Sequence, residues 1–254
     1  MVGRKQEGAE IAAALRMHEK DVTMIFPEKT ILERLFPAEL GQYVNRYYRE
    51  KGVEVDAEDL PQSFEATEDD RYVITSQNGK RWEVDGVIAG IGVRPNVALA
   101  QQAGLSTENG ILVNEYLQTD DPEIYAAGDV ANFYAPALGR RLRVEHEENA
   151  TFQGRLAGEN MAGAQKPHLH LPFFYSDMFE LGYEAVGVLD PRLHVVEDWV
   201  KPYEEGVVYY LDEDRLVGVL NWNVWDKVGD ARKLLESGER FADAASLIGR
   251  IRNR

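Results

Sequence analysis

Hydrophobic spacing divides the chain into three stretches of different rhythm. In residues 8–20, Ile11, Leu15 and their alanine neighbours recur at helical spacing, and residues 21–26 (DVTMIF) are β-rich. Residues 32–52 again read as helix, with Pro37 marking a break or a start and Gly52 a natural stop. A short strand follows at GVEV. Residues 71–84 alternate about Asn78-Gly79, the signal of a hairpin, and residues 85–92 (DGVIAGIG) predict a buried strand. Helix, strand, helix, strand, hairpin, strand is the order of half a dinucleotide-binding α/β domain with a β-meander crossover.

The second stretch, to about residue 166, predicts a short helix at NVALAQQAG and a strand pair at ILVNEYLQT. An apolar run, Ile124-Tyr125-Ala126-Ala127, then reads as a strand that ends in Gly128 and the acid Asp129, before a helix at residues 149–163. Composition shifts at the linker AGAQKPHLHLP, which holds two prolines and two of the five histidines. Beyond it, aromatic alternating runs (GVVYYL, RLVGVLNWNV) and one helix (DARKLLESG) predict a small antiparallel sheet with a helix.

Composition narrows the function classes. With 254 residues and 44% hydrophobic content, the chain can furnish a real core. A net charge of −16 argues against nucleic acid or an anionic membrane as partner. The absence of cysteine excludes disulfides, thiolate metal sites and thiol chemistry within these residues. No run of 18 apolar residues predicts a membrane span, and no apolar leader precedes the first helix. A soluble, cytoplasmic protein is expected.

Two motifs carry candidate chemistry. At the N-terminus, VGRKQEGAEIAAAL places Gly3 and Gly8 where a G-x-G-x-x-G dinucleotide fingerprint wants them, and Glu28 lies about twenty residues on. The middle glycine is replaced by Lys5, which would hinder close backbone approach to a pyrophosphate. The alternative is an ordinary strand-to-helix turn, and no strand is expected ahead of it. GIGVRPN, residues 90–96, closes the predicted buried strand, and YAAGD follows some thirty residues later. For Asp129 two readings stand: an acceptor where a parallel strand delivers its carboxyl end to a ligand crevice, or a helix N-cap.

The succession GIGVRPN, YAAGDVANFY, GRRLRVEHEENATFQGRLAGENMAG, FYSDMFELGYEAVGV and GVVYYLDEDRLVGVLNWNVWDK resembles the C-terminal half of the apoptosis-inducing-factor family. These are FAD- and NADH-binding oxidoreductases of the glutathione-reductase structural class. The resemblance implies an α/β fold with Rossmann-like dinucleotide-binding units and a small α+β C-terminal domain built on an antiparallel sheet. It implies three parts: residues 1–91 bind NAD(H), 92–168 form the returning part of the FAD-binding domain, and 169–254 form the C-terminal domain.

The resemblance also implies roles for individual residues. Asp129, after Gly128, matches the acceptor for hydroxyls of the FAD ribityl chain. Glu145 and His146 match a Glu-His pair beside flavin and nicotinamide; the other reading is a solvated charged turn. Tyr175 falls where the family has a stacking tryptophan. Glu184 and Glu10 match acids at the nicotinamide carboxamide end, Glu28 would take the adenosine ribose, and Arg34 the diphosphate region. Gly8 belongs to the fingerprint, and Gly92 permits close backbone approach to NAD. In place of the family's glycines and phenylalanine stand Arg4-Lys5-Gln6-Glu7, so aromatic packing at the nicotinamide is missing.

Nothing in the sequence corresponds to the family's earlier βαβ unit that binds the ADP part of FAD. The chain is therefore expected to be a fragment, its other half a separate chain or lost. The expected function is an FAD-dependent NADH oxidoreductase with FAD and NAD as cofactors and no protein acid, base, nucleophile or metal. The expected partners are NADH, the missing half or an electron-acceptor protein, and a second copy in a homodimer. Two alternatives stay open: a non-catalytic interaction fragment with a degraded loop, and the reductase component of a ferredoxin or oxygenase system.

Overall fold

The computed structural model describes residues 2, 3 and 6–251, with side chains from Gln6 onward. Arg4 and Lys5 lie outside the described residues, so the expected effect of Lys5 on the loop is not placed.

The chain begins with β1 (Val2–Gly3), α1 (Gln6–Met17), β2 (Val22–Phe26), α2 (Ala38–Glu50) and β3 (Val53–Ala57). The meander β4 (Pro61–Ala66), β5 (Tyr72–Ser76) and β6 (Arg81–Val84) then leads to β7 (Ala89–Gly90). The parallel sheet runs β3-β2-β1-β7, the order of a dinucleotide-binding half. A strand therefore does precede α1, against expectation: two residues suffice, because β2 and β7 flank β1 on both sides. α1 buries Gly8, Ala9, Ala12 and Ala13, small residues that let helix and sheet approach closely.

Two expectations here hold only in part. Helix was expected over 32–52 with Pro37 a break or a start; α2 does start after Pro37, whose ψ is 149°, and residues 32–36 fall outside the helix. Ile31, Leu32 and Phe36 do reach the core, yet from a turn with Leu32 at φ 56°. The buried strand expected at 85–92 shrinks to β7, an exposed edge pairing only with β1.

The middle unit holds α3 (Ala98–Gln102), β8 (Ile111–Leu112), a 3-10 turn (Gly128–Val130), β9 (Ala131–Ala135), β10 (Arg140–Leu142) and α4 (Glu147–Met161). β9 lies between β8, parallel, and β10, antiparallel. The expected strand pair at 111–119 is only β8 followed by turns. The run Ile124-Tyr125-Ala126-Ala127 is no strand; it makes one isolated bridge, Gln118 with Tyr125. A strand needs a ladder, and no described strand runs beside this one.

The last unit is a five-stranded antiparallel sheet in the order β11 (Phe173–Met178), β12 (Leu181–Gly187), β15 (Arg215–Trp222), β14 (Glu205–Asp212) and β13 (His194–Lys201). Helix α5 (Val228–Glu236) packs on β12 and β15. This sheet touches the first unit directly. Tyr210 donates to the carbonyl of Leu35 at 2.6 Å, and Trp222 meets Phe36 edge-on at 5.3 Å. At the β11–β12 tip, Lys51, just past α2, donates to Glu180 at 2.7 Å, and Tyr47 of α2 also donates to it. Those two donors hold the Glu180 carboxyl down to about 2.

Candidate functional site

A cleft of about 460 Å³ opens where these units meet. It is bounded by Gln6 and Glu7 of α1, by Arg34 and Leu35 of the turn before α2, and by Gly92 just past β7. Arg143, Glu145 and His146 ahead of α4, and Phe174 of β11, close the other side. The cleft lies beyond the ends of β1 and β7, where open α/β sheets bind ligands. Four of the expected residues, Arg34, Gly92, Glu145 and His146, thus come together. Gly92 has φ 92°, a backbone conformation that a side chain would strain.

Local structure fixes each group. His146 occupies the N-cap position of α4 but caps nothing with its ring. The ring stacks instead on Phe174, centroids 4.6 Å apart and nearly coplanar in tilt at 5°. Glu145 is ion-paired with Arg143 at 2.8 Å, both side chains largely buried, so the pair is no solvated turn. Arg143 also donates to the main-chain carbonyl of Asp129 at 3.0 Å and to Asn109 at 3.2 Å. One guanidinium therefore holds both Glu145 and the turn that carries Asp129.

Asp129 itself is exposed, and its carboxylate accepts no hydrogen bond among the described residues. It sits inside the 3-10 turn, two residues before β9, rather than at the end of a strand. Nor is it a cap: Ala127 holds that position in its turn and His146 in α4. Gly128 has φ 75° and donates its N–H to Gln153 of α4 at 2.8 Å. A Cβ there would meet the methyl of Ala150 at 3.2 Å, so strand, turn and helix close on a glycine.

Glu28 lies two residues beyond β2, the expected place for a ribose acceptor. It lines a second cleft of about 990 Å³ with Lys29, Phe36 and the loop 188–192; Arg34 borders both clefts. Arg34 pairs with Glu28 at 3.2 Å. The other carboxylate oxygen of Glu28, Oε2, is buried without a partner among the described residues.

The remaining expected residues form a separate group on the neighbouring strands. Tyr175 and Glu184 face each other across β11 and β12, and Gln6 of α1 joins Glu10 to Tyr175. Adjacent residues of a strand point to opposite faces, so Phe174 enters the cleft while Tyr175 stays 58% exposed. The aromatic that lines the cleft is Phe174, with Tyr175 beside it on the other face of β11. Burial raises the Glu184 carboxyl above the usual carboxylate range. Gly8 is buried in α1 and reaches neither cleft lining. Sequence reading missed Arg143, Gln153, Phe174 and Gln6; the RRLR run and strand parity were the only signals for any of them. No group of three or more metal-ligating side chains exists among the described residues.

Residues 7–154 match the pyridine nucleotide-disulphide oxidoreductase family. Residues 157–205 and 196–237 match the mitochondrion-associated C-terminal region of apoptosis-inducing factor. The mitochondrial apoptosis-inducing factor 1 of Dictyostelium discoideum is 34% identical over 260 residues, covering 94% of this chain and 49% of its own length. The ferredoxin–NAD(+) reductase component of the anthranilate 1,2-dioxygenase system of Burkholderia cepacia is 34% identical, covering 91% of this chain and 57% of its own. Among solved structures, putidaredoxin reductase in covalent complex with putidaredoxin superposes with a TM-score of 0.86 at 30% identity, over 93% of this chain and 57% of that one. The chain spans about half the length of the curated relatives it matches. With a parallel sheet in the order of a dinucleotide-binding half and an antiparallel five-stranded unit behind it, the chain belongs to the pyridine nucleotide-disulphide oxidoreductase family.

Proposed function

We propose that this chain is the NADH-binding and flavin-facing part of an FAD-dependent NADH oxidoreductase. The observation that carries the reading is Glu28. A buried carboxylate oxygen without a donor, at the carboxyl end of β2, is matched by the hydroxyls of an adenosine ribose. Arg34, shared by both clefts, suits the diphosphate between the two ends of the dinucleotide. Gly92 lets the backbone approach, and the stacked His146 and Phe174 offer a flat wall for a ring.

The residues around Asp129 fit a flavin equally. An exposed carboxylate without internal partners, on a turn held by Gln153 and Arg143, is free to accept from a polyhydroxyl chain. Glu145 and His146 would stand beside it. Bound nicotinamide would supply a hydride and bound flavin would accept it; the protein groups orient the two and exclude water. Glu10, Tyr175 and Glu184 belong to the same proposal, at the nicotinamide end of the site, and Gly8 to it as part of the fingerprint at the start of α1. The proposed division is 1–91 for NAD(H), 92–168 for the flavin-facing part and 169–254 for the C-terminal domain. The proposed setting is cytoplasmic, with NADH, an acceptor protein or a flavin-binding half, and a second copy as partners. No helix among the described residues is long and apolar enough to cross a membrane.

A second reading, the reductase of a ferredoxin or oxygenase system, is favoured by the Burkholderia relative and the putidaredoxin reductase fold. The two readings differ in acceptor and share the site.

Calorimetry with NADH and NADPH tests the proposal. NADH is expected to bind more tightly, since Glu28 accepts from a ribose hydroxyl and repels a 2′-phosphate. Glu28→Gln should weaken NADH binding by about 1.5–3 kcal/mol, the range for a hydrogen bond to a charged group. Tighter NADPH binding, or an unaffected variant, would sink the assignment.

A further inference from the structure

Gln6 stands in the first turn of α1 and lines the first cleft but not the second. Its Nε2 donates to Glu10 Oε1 at 3.0 Å and to the main-chain carbonyl of Tyr175. A carboxylate and a carbonyl can only accept, so a single orientation of the amide satisfies both. Oε1 is then left without a donor among the described residues. Two elements, α1 and β11, hold the nitrogen end of this side chain. Its oxygen is a pre-placed acceptor on the cleft wall, with little rotamer entropy left to lose on binding.

The chemistry of the wall selects the group that this oxygen can meet. Of the charged groups lining this cleft, Arg143 is paired with Glu145 and Arg34 with Glu28, whereas Glu7 is the next residue to Gln6 and Glu10 is bound to it, so an anionic group is disfavoured beside Gln6. The oxygen can only accept, so its partner is a donor group, N–H or O–H. In a nicotinamide dinucleotide laid from Glu28 in the second cleft, past Arg34, into the first, the nicotinamide end arrives beside Gln6. Its one uncharged N–H donor is the carboxamide.

We propose that Gln6 is a specificity-determining residue whose Oε1 accepts a hydrogen bond from the nicotinamide carboxamide, with Glu10 acting through Gln6 as a positioning residue. The inference rests on the NADH reading of the cleft and assigns to Gln6 a contact that the family resemblance implied for Glu10 and Glu184.

The test compares calorimetric affinities of the 254-residue chain for NADH and for reduced 3-acetylpyridine adenine dinucleotide, which carries a methyl in place of the carboxamide nitrogen. Wild type should prefer NADH by about 3- to 10-fold, the worth of one hydrogen bond between neutral groups. Gln6→Met, of similar length but without the acceptor, should bind both nucleotides with equal affinity. Thio-NADH, which retains the nitrogen, should behave as NADH does in both proteins. A wild type that does not discriminate overturns the inference, as does a Gln6→Met variant that keeps the wild-type ratio. Loss of discrimination in Glu10→Ala with retention in Gln6→Met would move the contact to Glu10 and equally overturn it. Measurable NADH binding alongside any of these leaves the cleft reading standing. No NADH binding at all overturns both together.

Discussion

The five-stranded sheet and the segment from β7 to the 3-10 turn both carry apolar runs, and they use them differently: the segment buries Val113 and Leu117 but leaves others in solvent. In the sheet, Val207, Val208, Tyr209, Tyr210 and Leu211 of β14 are fully buried, as are Val217, Val219, Leu220 and Trp222 of β15. In the other segment Ile91 and Val93 are 69% exposed and Leu99 is 82% exposed. The difference lies in strand partners. β14 and β15 each have a ladder on both sides, so their backbone groups are satisfied and a two-sided hydrophobic pattern can be used. β7 pairs with β1 alone, and Tyr125 has a single bridge. Apolar sequence makes a strand possible; neighbouring strands make it form.

Cutting into the sheet should have the largest effect. Trp222 is fully buried, stacks near Tyr183, meets Phe36 and donates to the Tyr203 carbonyl at 2.8 Å. Trp222→Ala should cost about 3–5 kcal/mol in chemical denaturation, by cavity and lost contacts together. A cost under about 1 kcal/mol would mean that the sheet is not the stable body described.

Acid should separate the two regions next. His168 ties the linker to the middle unit, its ring edge-on to Phe133 at 4.5 Å, and burial pushes its imidazole down to about 4. Between pH 6.5 and 4 the unfolded chain therefore binds the extra proton, and stability falls as pH falls through that window. The loss from this group is on the order of 2–3 kcal/mol by pH 4. His170 is depressed in the same direction by burial, so it adds to the slope. Denaturation midpoints across that range should flatten in His168→Gln. An unchanged slope would remove His168 from the account.

The smallest effect is expected at the exposed end. Leu99→Ser should change stability by less than about 0.5 kcal/mol, because the side chain packs against little. A large loss by thermal melting would show that α3 is covered in solution.

The regularity of the fold was legible wherever a rule works locally. Asn78-Gly79 announced the β5–β6 hairpin because a tight turn demands those residues. Helix α4 and the antiparallel sheet followed from periodicity alone. The turn at residues 31–36 was misread because Ile31, Leu32 and Phe36 keep helical spacing while serving a non-helical path into the core. The strand at Ile124 was misread because pairing partners are not written in the strand's own residues. In the site, Glu28, Glu145 and His146 were readable through motif and resemblance, and they now line the two clefts. Phe174, Arg143 and Gln6 were not, since stacking on His146, bridging Glu145 to the Asp129 turn and holding Tyr175 are long-range geometry.

The central claim is that one dinucleotide lies across both clefts, from Glu28 past Arg34 to Gln6 and His146. Amide hydrogen exchange of the chain with and without saturating NADH tests it most directly. Slowed exchange is predicted in the first turn of α1, in residues 28–35, at Gly92 and in residues 142–146, with β13, β14 and β15 unchanged. Protection confined to those three strands, or no protection at a concentration where calorimetry shows binding, would contradict it.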